Sequence, residues 1–120
     1  INLSLKQLTK VNCLLIKKLL SRYYKNKILI KPPNDLLVNK KKICGILQET
    51  ITKANANYFI VGVGINLIKS PTVTKYPTTS ILELTKINVS KKKVILDLLS
   101  LYENFVNQFS RTNLKSIKNL

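Results

Sequence analysis

Lys31-Pro32-Pro33-Asn34-Asp35-Leu36-Leu37-Val38-Asn39-Lys40-Lys41-Lys42-Ile43-Cys44-Gly45-Ile46-Leu47-Gln48-Glu49-Thr50 is the stretch on which the fold turns. Residues 27–31 form a short β-prone run that Pro32 and Pro33 stop, because proline locks φ and has no N–H for a ladder. Leu36-Leu37-Val38 reads as a second strand. Asn39-Lys40-Lys41 reads as a polar hairpin turn, and 42–50 as a third strand. The reading is strand, rigid corner, strand, turn, strand. It brings an amide (Asn34), a carboxylate (Asp35) and an ammonium (Lys42) near Gly45. Turn chemistry explains Asn34-Asp35, and a solvated turn explains Lys42, when each is taken alone. The joint spacing, Lys-x-x-Asn-Asp and then Lys-x-x-Gly, suits a site that grips a carboxylate or phosphate and steadies the gripping cation.

Outward from this stretch the pattern is equally regular. Leu5, Leu8, Val11, Leu15, Leu19 and Tyr23 recur at helical spacing, opposite Lys6, Lys10, Lys17 and Ser21, which predicts an amphipathic helix of about five turns ahead of the strands. A loop over 52–57 is expected to join the third strand to a fourth over 58–66 as antiparallel neighbours. Residues 70–79 read as a polar loop and 80–86 as a short helix. Ser90 caps a last helix whose buried face is Val94, Leu98, Leu101, Tyr102, Phe105 and Phe109, and the tail from Arg111 is expected to fray. The resulting class is α+β: a mixed or antiparallel sheet covered by helices, in one domain over 1–120.

Strand periodicity sorts the side chains by face. In the third strand it places Lys42, Cys44, Ile46 and Gln48 on one side, and Ile43, Gly45, Leu47 and Glu49 on the other. In the fourth, Tyr58, Ile60, Gly62, Gly64 and Asn66 share a face. Gly62 and Gly64 leave a bare strip of backbone, which marks close approach by a ligand or by another packed element.

Composition narrows the chemistry. At 120 residues and 45 % hydrophobic the chain can bury a modest core, and no apolar run approaches the ~18 residues of a membrane span. There is no histidine, so a Ser-His-Asp triad, a Cys-His pair and a His-ligated metal are all excluded within the chain. The two cysteines, Cys13 and Cys44, are too few for a zinc cluster and read as small buried apolar residues of a reducing, cytoplasmic setting. The net charge is +16, yet of 21 basic residues only Arg22 and Arg111 are arginine. Lysines scattered through every segment, without arginine forks, argue against nucleic acid as the dedicated partner.

Lys31-x-Pro33-Asn34-Asp35-Leu36, Lys42-Ile43-x-Gly45-Ile46-Leu47-x-Glu49, Val61-Gly62-x-Gly64-Ile65-Asn66-Leu67 and Thr78-Thr79-Ser80-Ile81 together, in this order, resemble the motifs of biotin–protein ligases. The resemblance covers roughly the whole chain. It implies the fold of the biotin and lipoate ligases, which is like that of class II aminoacyl-tRNA synthetases. It also implies a two-step activity: biotin and ATP give biotinyl-5′-adenylate, and the acyl group then passes to a lysine of the biotin carboxyl carrier protein of acetyl-CoA carboxylase. By the same resemblance Lys42 and Asp35 are catalytic, and Lys42, Gly45 and Leu47 bind biotin. Asn34, Asp35, Gly62, Gly64 and Asn66 line the nucleotide, and Asp35 is the candidate Mg²⁺ ligand. A homodimer is left open.

Two departures are visible. Pro32 stands where the family has tryptophan. The family's Gly-Arg-Gly-Arg-x-Gly-Arg loop belongs upstream of Ile1, and its small C-terminal β-barrel after the last helix, so the expectation is the middle of a catalytic domain. Lipoate–protein ligases, which share the fold and a similar Asn-Asp…Lys-x-x-Gly pattern, are the nearest alternative. A basic nucleic-acid-binding module is the alternative of a different class.

Overall fold

A computed structural model describes residues 3–72 and 75–109. Helix α1 (Leu5–Leu20) starts at a capping box: the Ser4 hydroxyl accepts from the Gln7 N–H, and the Gln7 side chain accepts from the Ser4 N–H. Strands β1 (Leu29–Lys31), β2 (Asp35–Val38), β3 (Lys41–Lys53) and β4 (Ala56–Ile65) follow, then α2 (Ile81–Thr85) and α3 (Lys91–Phe109). The strands lie side by side in chain order, and every neighbouring pair is antiparallel. The α+β class expected from the sequence is therefore the one adopted.

The core forms where α1 and α3 meet one face of the sheet. Ile16, Leu19 and Leu20 of α1, Leu36 and Val38 of β2, Ile43, Cys44 and Ile46 of β3, and Val94 and Leu101 of α3 make one buried cluster. Phe105 joins Val11 and Leu15 in a second cluster, with Tyr102 and Phe109 against it. The predicted inner face of α3 is thus the one that packs, with Leu98 at its margin. Its outer side leaves Ile95, Leu96, Leu99 and Val106 exposed. In α1 the expected stripe begins one turn late. Leu5 is exposed while Asn12, Cys13, Ile16 and Leu20 are buried, so the packed face is broader than the stripe. The regular helix also stops at Leu20 and leaves Tyr23 in the turn that follows.

A polar chain runs through this core. The Tyr102 hydroxyl donates to Asn12 Oδ1 at 2.7 Å, Asn12 Nδ2 donates to Gln48 Oε1, and Gln48 Nε2 donates to Thr9 Oγ1 at 2.6 Å. Asn12 is buried to 2 % exposure, so an unmet amide there would be costly, and this chain satisfies it. It fixes β3 to both long helices. On the surface Asp97 ties α3 to the turn after α1: it accepts from the Tyr23 hydroxyl and pairs with Arg22 and, within α3, with Lys93, at 3.2 Å each.

Two loops proved shorter than the sequence suggests. Residues 52–57 do not form a six-residue loop, because β3 and β4 continue to Lys53 and Ala56 and turn on Ala54-Asn55 alone, both at positive φ. Asn39-Lys40 make the other two-residue turn, also at positive φ, and Lys41 already belongs to β3. Left-handed residues at both central positions match the twist of the flanking strands, which lets the ladders run to the turn itself. The first strand is shorter than 27–31 and begins at Leu29. The helix over Ile81–Thr85 is where it was expected, between an accepting Ser80 side chain and Lys86 at positive φ. The tail from Arg111 lies outside the described residues.

Cys13 and Cys44 are free and buried, as expected. Burial pushes the Cys44 thiol up to about 12, against a smaller opposing pull from the Lys42 ammonium, and burial likewise raises Cys13. Since the unfolded thiols titrate near their ordinary 9.0, the unfolded chain loses protons first as pH rises. These groups therefore withdraw stability progressively above that value. At about pH 8 a thiol reagent is expected to label neither cysteine in the native protein, and both after unfolding in guanidinium. Equal labelling rates in the two states would contradict this packing.

Candidate active site

The site begins at an irregularity in the β2–β3 ladder. Asp35 pairs with Gly45 and Leu36 with Cys44, but Leu37 pairs with Lys42, so Ile43 has no partner across the ladder. One extra residue makes a β-bulge, and a bulge re-aims the side chains on either side of it. Ile43 and Cys44 are consequently both buried, which strict alternation forbids. Alternation over 42–50 would have put Lys42 with Cys44 and Ile46 against the helices. The bulge instead turns Lys42 to the side of Gly45, contrary to that alternation. The bulge is itself held in place, since the Ile43 carbonyl accepts from the Asn66 N–H at 3.0 Å.

Past the bulge the alternation holds. Gly45 lies opposite Gly64, and Leu47 opposite Gly62, so three glycines and one leucine form a floor on the face away from the helices. Leu47 is 72 % exposed there. A Cβ on Gly62 or Gly64 would meet its nearest neighbours only at 3.8 Å, so their bareness serves the open side and not internal packing. Gly45 differs: a Cβ there would stand 3.1 Å from both Cε and Nζ of Lys42.

Over this floor lies a cleft of about 530 Å³, whose lining includes Asn34, Asp35, Lys42, Gly45, Leu47, Gly62, Gly64, Asn66 and Tyr76. The structure therefore gathers every site residue predicted from the sequence around one space. Lys42 Nζ lies 3.2 Å from Asp35 Oδ1, with both side chains about a quarter to a third exposed. Burial pulls the Lys42 ammonium down, but the Asp35 carboxylate and the Tyr76 side chain outweigh it, and the net position is above the ordinary lysine value. Lys42 is thus a cation held in place. It is not a lysine tuned to lose its proton.

Asn34 and Asn66 frame the cleft through the backbone. Asn34 Nδ2 donates to the Ile46 carbonyl at 2.7 Å while its own carbonyl accepts from the Ile46 N–H, so it prolongs the ladder past Asp35. Behind this corner the Cys13 thiol donates to the Pro33 carbonyl at 3.4 Å. Asn66 Nδ2 donates to the Thr79 carbonyl at 3.0 Å. One N–H of each amide is therefore committed to the framework.

Asp35 is the single carboxylate in the cleft lining, and Lys42 engages it. Among the described residues no cluster of three or more His, Cys, Asp or Glu side chains could hold an ion. One engaged carboxylate does not make a resident Mg²⁺ site. Among the described residues no helix is long and apolar enough to cross a membrane.

Sequence reasoning missed Tyr76, whose ring centroid lies 5.2 Å from Lys42 Nζ. Its signal was faint, an aromatic directly before Pro77 in a loop otherwise rich in Thr.

Comparison with known proteins bears on this geometry. Residues 4–66, more than half of the 120, match the model of the biotin/lipoate A/B protein ligase family. The structure superposes on biotin protein ligase from Aquifex aeolicus in complex with biotin and ATP with a TM-score of 0.78 and 28 % identity, over 97 % of this chain and 49 % of that one. The apo Aquifex structure gives 0.77 and 27 %, over 96 % and 51 %. Plasmodium falciparum LipL1 in complex with lipoate gives 0.60 at 20 % identity, over 83 % and 32 %, which shows a shared fold alone. The chain spans about half the length of the Aquifex proteins it matches. No curated protein matches it. By the family match, supported by the fold, the chain belongs to the biotin/lipoate A/B protein ligase family.

Proposed function

We propose that this chain supplies the central part of a biotin–protein ligase catalytic domain, acting in the cytoplasm. The ligase would use ATP to form biotinyl-5′-adenylate and transfer the biotinyl group to a lysine of the biotin carboxyl carrier protein of acetyl-CoA carboxylase. The carrying observation is the placement of Lys42, paired with Asp35, on the same face as the Gly45–Gly64 floor. In the first step a carboxylate oxygen of biotin attacks the α-phosphorus and pyrophosphate leaves. Two anions must meet, and a fixed ammonium between them lowers that repulsion most as charge builds in the transition state. In the second step the carrier amine attacks the acyl carbon and AMP leaves, with Lys42 polarising the mixed anhydride.

The other roles follow from position. Gly45 and Leu47 would lie along the biotin chain, which an apolar ledge beside a bare floor accommodates. Gly62 and Gly64 let a nucleotide approach the backbone, and Asn34, Asp35 and Asn66 flank it. Asp35 holds Lys42 in place and balances its charge before the substrate arrives.

Lipoate is the second reading, since the family also takes its name from it and a lipoate-bound structure shares the fold. The run Gly45-Ile46-Leu47-Gln48-Glu49 followed by Gly62-x-Gly64-Ile65-Asn66 favours biotin. Calorimetry on the protein with each acid separates them. Biotin is expected to bind about tenfold tighter or more, a difference of ~1.4 kcal/mol. Tighter binding of lipoate would overturn the choice of substrate while leaving the family intact.

A further inference from the structure

Tyr76 is 41 % exposed in a loop, so it adds little to any core. What it does touch is Lys42, through a ring whose centroid is 5.2 Å from Nζ, within the range where an aromatic face attracts a cation. A similar trio occurs at the helix surface, where Lys93 lies 5.0 Å from the Tyr23 ring and pairs with Asp97. There the tyrosine hydroxyl also bonds the carboxylate and ties the turn after α1 to α3. At the cleft the trio ties no helices, and the surrounding framework shows another purpose.

That framework is the segment that follows Tyr76. The Lys42 N–H donates to the Pro77 carbonyl and the Thr79 N–H to the Lys42 carbonyl, each at 2.9 Å. Thr79 is held in turn by Asn66 and by Glu83, whose carboxylate accepts from the Thr79 hydroxyl at 2.6 Å, and Thr78 donates to the Pro71 carbonyl at 2.6 Å. The lysine backbone is thus tied by one short ladder to the segment that begins directly after Tyr76. A lysine side chain has four rotatable bonds and would otherwise sample many positions over an open floor.

We propose that Tyr76 is a positioning residue for Lys42: its ring is one wall of an ammonium cage whose other walls are the Asp35 carboxylate and the bare α-carbon of Gly45. This rests on the reading of Lys42 as the cation that meets the reacting anions. The ring face attracts the ammonium and forms the wall, while the Tyr76 hydroxyl further supports its charge. The cage also accounts for a conformationally ordinary glycine at position 45, where a Cβ would crowd the lysine end at 3.1 Å and force it to shift.

The test uses Tyr76→Leu and Tyr76→Phe in the intact protein, with lysines labelled by ¹³C and the Lys42 signal assigned by its loss in Lys42→Ala. In Tyr76→Leu the Lys42 titration is expected to move down toward the ordinary lysine value, and kcat for adenylation to fall about threefold while KM for biotin changes by less than about twofold. Tyr76→Phe, which keeps the ring and loses the hydroxyl, is expected to keep wild-type kcat and KM while the Lys42 titration moves only part of the way down. A Tyr76→Leu protein with wild-type titration or wild-type kcat, or a Tyr76→Phe protein that behaves like Tyr76→Leu, would overturn the inference. Lys42→Ala in the same assay keeps the two ideas apart. Full adenylation by that variant defeats the reading of the site, whereas its inactivity beside an unperturbed Tyr76→Leu defeats only the cage.

Discussion

Lys42→Ala is expected to lower biotin-dependent adenylation by about 10²–10³-fold, the scale of losing one preorganised electrostatic partner of a transition state, while the protein stays folded. Folding survives because the bonds from Lys42 to Pro77 and Thr79 use its backbone. The Asp35 carboxylate left behind is about 30 % exposed and can be hydrated. A partly exposed ion pair of this kind contributes only ~0–1 kcal/mol to stability. Lys42→Arg is not expected to restore the rate, because a planar guanidinium fork needs room that the Gly45 side of the cage does not offer. Biotin-dependent exchange of pyrophosphate into ATP, with circular dichroism to confirm the fold, checks both variants. A Lys42→Ala protein with near-normal exchange would remove this residue from the chemistry.

Gly45→Val is the second large effect expected, and it acts through geometry alone. Its Cβ would stand 3.1 Å from Lys42 Cε and Nζ, and the two methyl groups add bulk around that point. The flexible end of the lysine yields first, so the ammonium is pushed from its place between Asp35 and Tyr76. A displacement on the order of 1 Å at a reacting centre costs about 10²-fold in rate. The backbone of Gly45 needs no positive φ, and valine suits a strand, so the melting temperature is expected to stay near that of the wild type. The contrast with Gly64→Val is instructive. A Cβ at Gly64 finds its nearest neighbour at an ordinary 3.8 Å and would leave Lys42 in place. It would instead occupy the ligand's own space and raise KM. Assays that report kcat and KM separately distinguish the two, and a Gly45→Val protein with normal kcat would contradict the cage.

Much of this was legible in the residues before any coordinates. Apolar spacing in the first and last helices, the prolines at 32 and 33, and the alternation over 58–65 each report a local preference, and each element formed close to where it was read. What the sequence concealed was parity. Nothing in Lys41-Lys42-Ile43-Cys44 signals a bulge, because a bulge is a property of the pairing between two strands. Period-two counting through that point therefore sent Lys42 to the wrong face. Lys42, Gly45 and Leu47 line one cleft, which strict alternation cannot produce, and the bulge at Ile43 is what brings them together. The hairpin at Ala54-Asn55 was missed for a related reason. Neither residue is glycine, and the ladder that holds both at positive φ extends beyond the turn.

Tyr76 and the Asn12–Gln48 chain were hidden differently. Asn12 sits on an apolar helical face and Gln48 in a strand, 36 positions apart, and only the fold brings their amides together. A buried polar residue can be suspected from such placement, but its partner cannot be named without the packing of α1 against β3.

The central claim, that the Lys42 ammonium meets an acid as it is joined to a nucleotide above a glycine floor, is tested most directly by a crystal structure with a non-hydrolysable biotinyl-adenylate analogue. The account predicts Lys42 Nζ within hydrogen-bonding reach, about 2.7–3.2 Å, of an oxygen at the acyl–phosphate junction, with Gly62 and Gly64 beneath the ligand. An analogue bound elsewhere, or seated in the cleft with Lys42 turned away to solvent, would contradict it.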